Sequence, residues 1–507
     1  MSYFDQFKNA NIKLEILSGL TVALALMPEC IAFAIVAHVN PLTGIYTAAI
    51  ICFITALIGG RPGLISGAAG SVAVVSVALV VQYGIEYLFL AAILMGIIEI
   101  LIGVFKLAKF IRLVPRPVVY GFLNGLAILI FISQFEQLKT PSGAWISGMP
   151  LAIMIVFIVL SMLIVYLFPK ISKKVPSALM AILGVSIISS VFGISTKTLG
   201  DIASISGGLP VFHIPQVPLT FEAFMIVLPY AILMAAVGLI ETLLTVNVVD
   251  EMTNSRGKAN RESVAQGIAN FVCGFFQGMG GCAMVGQTMI NLNSGARTRI
   301  SGITGGIVIF LIILFAAPLV EKIPIAALVG VMFMVAITTF EWASLHLLKN
   351  VPRVDQAVMI IVTIITVVMN NLAIAVIIGV CISALAFAWE AAKRVQIIYS
   401  FDEKNNTEYY EIRGPLFFAG TTEFKDAFNY DTKAETVVIN FLASRLVDQS
   451  ALAAVNDVTK RFDQNGVKVL LSHLSPDCIE LLKDVSEFVE VDILKDPYYK
   501  IPSDELD

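Results

Sequence analysis

Charge is scarce in this sequence. Only 14% of its 507 residues are Asp, Glu, Lys or Arg, against 58% hydrophobic residues and a mean hydropathy of +0.88. A soluble globular chain of this length cannot hide so much apolar surface. The formal net charge of −4 offers no electrostatic footprint for a nucleic acid. Cysteine is sparse too. Cys30, Cys52, Cys273, Cys282, Cys381 and Cys478 show no CxxC or other metal spacing, and all but Cys478 sit in apolar runs. They read as reduced packing residues rather than disulfides or ligands. His38, His213, His346 and His473 are assigned no role. No nucleotide-binding glycine loop or kinase motif is present, so ATP-driven transport is unsupported. The stretch Met1 to Glu15 is polar and carries acids. The apolar run after it is long and has no small-residue cleavage site, so no cleavable signal peptide is expected.

What the chain does have is length in its apolar runs. From Ile16 to Trp389, runs of roughly 17–25 residues recur, each long enough to cross a bilayer. After Arg394 the chain turns charged. The boundary falls near Ala391 to Ile397, with residues 1–394 as a membrane part and 395–507 as a soluble domain. Spans are expected near 16–37, 41–60, 64–82, 86–105, 116–135, 150–168, 175–193, 222–248, 262–279, 281–292, 300–320, 324–341, 354–370 and 372–391, about fourteen in all. The run from Ala357 to Ala388 is too long for one span and is split at Asn370-Asn371, read as a turn. With the N-terminus inside, the inner loops collect Lys8, Lys13, Arg61, the basic clusters at 106–116, 170–174 and 256–261, and then Arg297, Arg299, Lys349, Arg353, Lys393 and Arg394. The outer loops hold only Lys139, Lys197 and Lys322. This asymmetry predicts cytoplasmic termini on a multi-pass plasma (inner) membrane protein.

Two segments break the pattern. In "RPGLISGAAGSVAVVSVALV" the first half is packed with Gly, Pro and Ser, and only the second half reads as a helix. The other break is "GMGGCAMVGQTMIN". Each follows an acid inside an earlier span: Gly67 comes 38 residues after Glu29, and Gly280 comes 39 residues after Glu241. Spans 1 and 3 thus correspond to spans 8 and 10. An offset of seven spans is odd, so the second copy enters the membrane from the opposite side, which is the signature of an inverted repeat. A helix that begins in mid-membrane leaves its first N–H groups without partners. Two such ends aimed at one point make an anion site from N–H groups and positive dipole ends. The candidate residues are Gly67, Ala68, Ala69, Gly70 and Ser71 against Gly286, Gln287 and Thr288, with Ser71 or Thr288 adding a hydroxyl. Close helix packing through glycine is the plain alternative; the symmetric placement and the acids favour the site.

Glu29 and Glu241 need their own account, because a charge at mid-bilayer costs about 2.5–3.5 kcal/mol on insertion scales. No Lys or Arg lies within the apolar cores to pair with them. Each is protonated, bound to a cation or set in a wet cavity. Glu241 and Thr245 are four residues apart on one helix face, so carboxylate and hydroxyl together could hold a hard cation such as sodium. Glu99, in "MGIIEILIGVF", reads as structural, bonding a neighbouring span.

These residues are familiar. "GLTVALALMPECIAFAIVAHVNPLTGIYTA", "GAAGSVAVV", "PRPVVYGFLNGLAILIFISQ" and "AQGIANFVCGFFQGMGGCAMVGQTMINLNSGARTRISG" resemble, in order, the blocks of the sulfate permease (SulP) family, solute carrier family 26 in animals. The resemblance implies a seven-plus-seven inverted repeat with a core domain (spans 1–4 and 8–11) and a gate domain (spans 5–7 and 12–14). It also implies an anion between spans 3 and 10, elevator-like movement of core against gate, and a homodimer. The run from Glu241 to Thr245, "ETLLT", is similar to the "DTLLT" of a sodium-dependent bicarbonate member whose Asp and last Thr bind sodium. Glu in place of Asp leaves sodium and proton both open. Many animal members carry Arg where this chain has Gln287. Its absence here points to symport, with the anion's charge met by dipoles and a co-transported cation.

Beyond the membrane part, Val395 to Ser400, Tyr409 to Phe418, "TVVINFL" and Val467 to Ser472 read as strands. Thr421 to Phe428, Val447 to Gln464 and Pro476 to Val485 read as helices. This small cytoplasmic α/β unit resembles the STAS domain, with "LVDQSALAAV" matching its loop-to-helix segment. Ser450 aligns with the serine phosphorylated in anti-sigma antagonists, although Asp448 or Ser450 as a plain helix cap accounts for the same motif.

The sequence therefore predicts an α-helical polytopic membrane protein with a STAS domain. It is expected to be no enzyme, but a secondary active transporter of a small anion, needing no cofactor beyond Na+ or H+ as coupling ion. Bicarbonate and sulfate lead, with a dicarboxylate next. Expected partners are the bilayer, a second copy and a cytoplasmic protein on the STAS domain. One rival is an uncoupled anion channel or exchanger, whose flux ignores sodium and pH. Another is a membrane-tethered signalling protein, sensitive to Ser450→Ala but not to Glu241→Gln.

Overall fold

The computed structural model describes residues 11–109, 114–140, 143–171, 176–201, 208–218, 220–347, 351–369, 372–393, 395–474 and 490–492. They divide into two compact units, one running to Val380 and one beginning at Cys381.

The first unit is helical. Its helices are α1 (Ile12–Val36), α2 (Pro41–Ile58), α3 (Gly70–Tyr83), α4 (Ile85–Val104), α5 (Arg116–Ser133), α6 (Met149–Ile171), α7 (Ser177–Val191), α8 (Phe221–Thr253), α9 (Ala259–Phe275), α10 (Val285–Asn293), α11 (Ile300–Val320), α12 (Ile325–Thr339), α13 (Trp342–Leu347) and α14 (Arg353–Met369). Helix α15 (Leu372–Ala392) carries the chain into the second unit. Every predicted span contains a helix. Among the described residues, 8 helices are long and apolar enough to cross a membrane, and α3, α7 and α12 are shorter apolar helices. The Asn370-Asn371 turn lies outside the described residues. Three expectations shift. Helix α8 runs on past 248 to Thr253, where Asn254 ends it in the left-handed conformation at φ 50°. Helix α9 stops at Phe275 and α10 starts only at Val285, because the glycine-rich stretch between them turns at Gln277 (φ 61°) and Gly280 (φ 78°) before a two-residue strand at Cys282–Ala283. Helix α13 is an addition.

Glycines set the helix packing. Gly96 and Gly103 of α4 lie against the backbone of α9, and Gly267 and Gly274 of α9 lie against α4. An added Cβ at Gly267 would stand 2.6 Å from the Gly96 carbonyl oxygen, so two helices approach here as only small residues allow. Gly19 of α1 meets Ser301 and Thr304 of α11, and Gly306 of α11 meets Ala49 and Phe53 of α2. A second group is built the same way. Gly121 and Gly125 of α5 face Val362 and Thr366 of α14, and Gly330 of α12 faces Ser161 of α6. The Ser161 hydroxyl donates to the Ala327 carbonyl at 2.9 Å. The first group (α1–α4 with α8–α11) meets the second through α1 and α3 against α5, α7 and α12.

Besides the two-residue strands β1 (Ser66–Gly67) and β2 (Cys282–Ala283) of the first unit, a five-stranded sheet occupies the second unit in the order β3-β4-β5-β6-β7, with strands β3 (Gln396–Asp402), β4 (Thr407–Leu416), β5 (Thr436–Leu446), β6 (Lys468–Ser472) and β7 (Glu490–Asp492). Strands β3 and β4 pair antiparallel across the Glu403–Asn406 turn, and the others run parallel. Parallel neighbours need crossovers, supplied by α16 (Thr421–Asp426) and α17 (Gln449–Gln464). Leu452, Val455, Val458 and Phe462 bury one face of α17 against Tyr410, Phe424, Val437, Ile439 and Phe441. The four strands and two of the helices read from sequence are present. The helix expected over Pro476 to Val485 lies outside the described residues, and β7 is an addition. Glu408 is buried and accepts hydroxyls from Tyr410 (3.0 Å), Tyr399 (3.3 Å) and Thr432 (2.5 Å). Burial first, then the Glu408 carboxylate, push the Tyr410 hydroxyl above the usual tyrosine range.

Candidate functional site

The two breaks meet. Residues Ser66–Gly67 form β1 and Cys282–Ala283 form β2, paired antiparallel with Ser66 opposite Ala283 and Gly67 opposite Cys282. Antiparallel pairing sends the two chains away in opposite directions, so α3 leaves the junction one way and α10 the other. The backbones touch at Gly281, where any Cβ would strike the Gly67 carbonyl. Side chains finish the junction. Asn270 mimics a strand, accepting from the Gly281 N–H (2.9 Å) and donating to its carbonyl (3.0 Å). Its Nδ2 also donates to Glu99 at 2.7 Å. Glu99 thus binds α9, the neighbouring helix. The Thr242 hydroxyl accepts from the Ala283 N–H at 3.1 Å.

Both short helices start without a cap. Ala69 and Met284 hold the N-cap positions in extended conformation, and neither offers a side-chain acceptor. The Ser, Thr, Asp or Asn that normally satisfies the first N–H groups is missing at both ends. First-turn donors of α3 and α10 are therefore left over at the place where the two helices begin. A Cβ added at Gly286 would meet nothing within 4 Å, which marks open space beside the start of α10. Gly70 differs, because Phe33 and Ile130 close in on it.

The two acids cross between the halves. Glu241 of α8 accepts the Ser71 hydroxyl of α3 at 2.5 Å and the Cys282 thiol of β2 at 3.2 Å, both on Oε2. Glu29 of α1 accepts the Gln287 amide of α10. Each half's acid grips the opposite half's short helix, and both acids are only half-buried. The structure therefore brings together Glu29, Glu241, Ser71, Gly286 and Gln287, with Gly67, Ala68, Ala69 and Gly70 forming the buried backbone behind them. Two of the candidate hydroxyls are engaged elsewhere. Thr288 is buried with its hydroxyl accepting the Ile65 N–H (3.0 Å) and its N–H bonded to the Met284 carbonyl (3.1 Å). It braces the break and presents nothing to the gap. The Thr245 hydroxyl donates to the Glu241 main-chain carbonyl at 2.7 Å, the usual back-bond of a helical threonine, and does not join the Glu241 carboxyl. Cys282 was missed as a contact of Glu241, since nothing in its apolar run distinguishes it from a packing residue. In the second unit, Asp448 caps α17 through the Ala451 N–H (2.9 Å) and also accepts from the Phe418 N–H (2.8 Å). Ser450 stands exposed in the first turn of α17.

Known proteins resemble this chain in sequence and in fold. The sequence profile of the sulfate permease family matches residues 12–362, and that of the STAS domain matches residues 400–495. "Putative sulfate transporter YbaR" of Bacillus subtilis (strain 168) is 42% identical over 476 residues, covering 94% of this chain and 97% of that one. "Bicarbonate transporter BicA" of Picosynechococcus is 29% identical over 397 residues, covering 74% of this chain and 69% of that one. The solved transmembrane domain of a cyanobacterium bicarbonate transporter BicA superposes with a TM-score of 0.65 at 30% identity, over 72% of this chain and 97% of that one. The murine solute carrier 26 family member A9 anion transporter, in its inward-facing state, reaches 0.79 over 96% of this chain and 90% of that one. At 15% identity that is a likeness of fold.

Proposed function

The chain belongs to the sulfate permease family, and from that premise we propose that it is a secondary active symporter of a small inorganic anion, sulfate or bicarbonate, in the plasma (inner) membrane. The anion lies beside Gly286 and Ser71 and takes its hydrogen bonds from the first-turn N–H groups of α3 and α10. The observation that carries this reading is the meeting of two uncapped helix starts on one strand pair, each bonded to an acid from the opposite half. Anions bind where unsatisfied N–H groups and a positive dipole end coincide, and two such ends double the attraction. The site reads charge and size more than identity, which leaves sulfate, bicarbonate and a dicarboxylate such as fumarate all within its chemistry.

Glu241 takes the coupling ion, with Glu29 assisting. A proton fits its surroundings better than sodium does. Two donors, Ser71 and Cys282, already point at one oxygen of Glu241, and the Thr245 hydroxyl is turned to the main chain. A hard cation needs several oxygen ligands gathered around it, whereas a proton needs one acceptor. Loading the proton offsets the anion's charge, and the glycine-packed first group (α1–α4, α8–α11) then slides as a block against the second (α5–α7, α12–α15) in an elevator motion. Both termini lie in the cytoplasm, the protein works as a homodimer, and the STAS domain offers Ser450 to a cytoplasmic partner.

The test is uptake into proteoliposomes of radiolabelled sulfate, bicarbonate or fumarate, each under a proton or a sodium gradient. Uptake of sulfate or bicarbonate driven by an inward proton gradient, and lost in Glu241→Gln, supports the reading. Uptake that follows only the anion gradient identifies a channel or exchanger. No uptake, with a cellular phenotype from Ser450→Ala, identifies a signalling protein.

A further inference from the structure

The contact between Glu29 and Gln287 carries more than a brace. Gln287 is buried in the first turn of α10 and is the one polar contact of Glu29 among the described residues. The helices packed on α1 are α2, α3, α7, α10, α11 and α12. None of them contains Asp, Glu, Lys, Arg or His, and their only titratable side chains are Tyr46, Cys52 and Tyr83. On α1 itself the others are Lys13, Glu15 and Cys30. Glu241, the other acid of the site, is engaged by Ser71 and Cys282, so among the described residues Glu29 has no ion pair and the Gln287 amide answers its charge. No other hydrogen bond engages the amide oxygen of Gln287 among the described residues.

An amide has two unlike ends, a carbonyl that accepts and an NH2 that donates. An ionised carboxylate only accepts, so it takes the NH2, as seen here. A protonated carboxyl also has an O–H to give, which the amide accepts through its carbonyl once it turns over. We propose that Gln287 is an amide switch read by Glu29 that couples proton binding to anion binding. With Glu29 ionised, the amide carbonyl is the end left for the anion gap beside Gly286, and an acceptor there opposes an anion. With Glu29 protonated, the NH2 is left for the gap and adds a donor to those of the α10 first turn. The inference rests on the anion site proposed above and assigns Gln287 as a positioning and affinity-setting residue within it.

Glu29→Gln gives the sharpest test, because a second amide keeps a donor that can hold the Gln287 carbonyl at every pH. The full-length protein in detergent is titrated with sulfate by calorimetry at pH 5.5 and pH 8. Buffers of differing ionisation enthalpy report the protons taken up. Wild type is expected to bind sulfate more weakly at pH 8. Glu29→Gln is expected to bind roughly tenfold more tightly than wild type at pH 8, the worth of one hydrogen bond to a charged group, and to take up fewer protons. Gln287→Met, nearly isosteric, is expected to bind roughly tenfold more weakly than wild type at pH 5.5. The double variant should behave as Gln287→Met alone. Size-exclusion profiles and proton uptake on the wild type keep the test open if one variant fails to fold. A wild type that binds sulfate with no proton uptake, or a Glu29→Gln variant with the wild-type pH dependence, overturns the switch and leaves the anion site standing. Absence of saturable sulfate and bicarbonate binding in the wild type overturns the site and the switch together.

Discussion

Replacing Gly281 by Ala should part the two breaks. The added methyl would run into the Gly67 carbonyl oxygen, with the Gly67 carbonyl carbon at 2.8 Å and the Ala68 Cα at 3.1 Å. All of these are backbone atoms, so no rotamer change relieves the clash. Forcing one methyl into such a closed place costs about 1–3 kcal/mol. Separating β1 from β2 also strands backbone groups far from bulk water, at about 1 kcal/mol for each bond lost. The sum, about 2–4 kcal/mol, is a large share of a typical folding free energy. Gly286→Ala is the matched control. Its methyl meets nothing within 4 Å, so stability should change by no more than about 0.5 kcal/mol, while the methyl occupies the space assigned to the anion. The assay is thermal denaturation in detergent, read by size exclusion, beside sulfate binding on the same samples. Gly281→Ala should lose stability and binding; Gly286→Ala should lose binding alone. A Gly281→Ala protein as stable and as sulfate-competent as wild type would show that the strand pair does not hold the short helices together.

Other outcomes follow from single contacts. Thr288→Val removes the acceptor of the Ile65 N–H and should cost about 1–2 kcal/mol of stability with sulfate affinity unchanged; a selective loss of affinity would return Thr288 to the anion site. Arg61 bonds Asp250 at 3.0 Å, the Val249 carbonyl at 3.0 Å and the Ser255 hydroxyl at 3.0 Å, tying the loop before β1 to the end of α8. Arg61→Ala should cost about 2–3 kcal/mol in the same denaturation assay, at the low side for a broken buried pair because Asp250 reaches solvent; a change near zero would make the cluster ornamental. In the STAS unit, the raised Tyr410 stabilises the fold fully below the unfolded tyrosine pKa of about 10, and that share is lost as pH rises beyond it. Tyr410→Phe should be less stable than wild type at pH 7 and show a shallower decline in alkali; parallel curves would exclude the linkage.

Much of this was legible because bilayers simplify the code. Long apolar runs bounded by Lys and Arg gave most of the helices within a few residues, and the polar turn at Glu403–Asn406 separated β3 from β4. Gly67 and Gly280, each trailing an acid by a similar interval, exposed the two breaks. What stayed hidden is tertiary. Strands β1 and β2 are two residues each, too short for any periodicity. The partners Glu241–Ser71 and Glu29–Gln287 lie 170 and 258 residues apart and cross between the halves. Thr245 shares a helix face with Glu241, but that spacing does not decide where the hydroxyl proton goes, and it goes to the main chain. The proximity of Thr288 to the break did not reveal that its hydroxyl accepts the Ile65 N–H. Helix α13 and the extension of α8 to Thr253 follow a polar stretch where hydropathy falls silent.

The central claim is that an anion is held where α3 and α10 begin. Selenate, a sulfate analogue whose selenium scatters anomalously, tests it in one structure of the full chain. An anomalous peak within hydrogen-bonding distance of the first-turn N–H groups of both helices, beside Ser71 and Gly286, is the expected result. A peak elsewhere, with that gap empty at a selenate concentration that saturates binding in solution, would contradict the account.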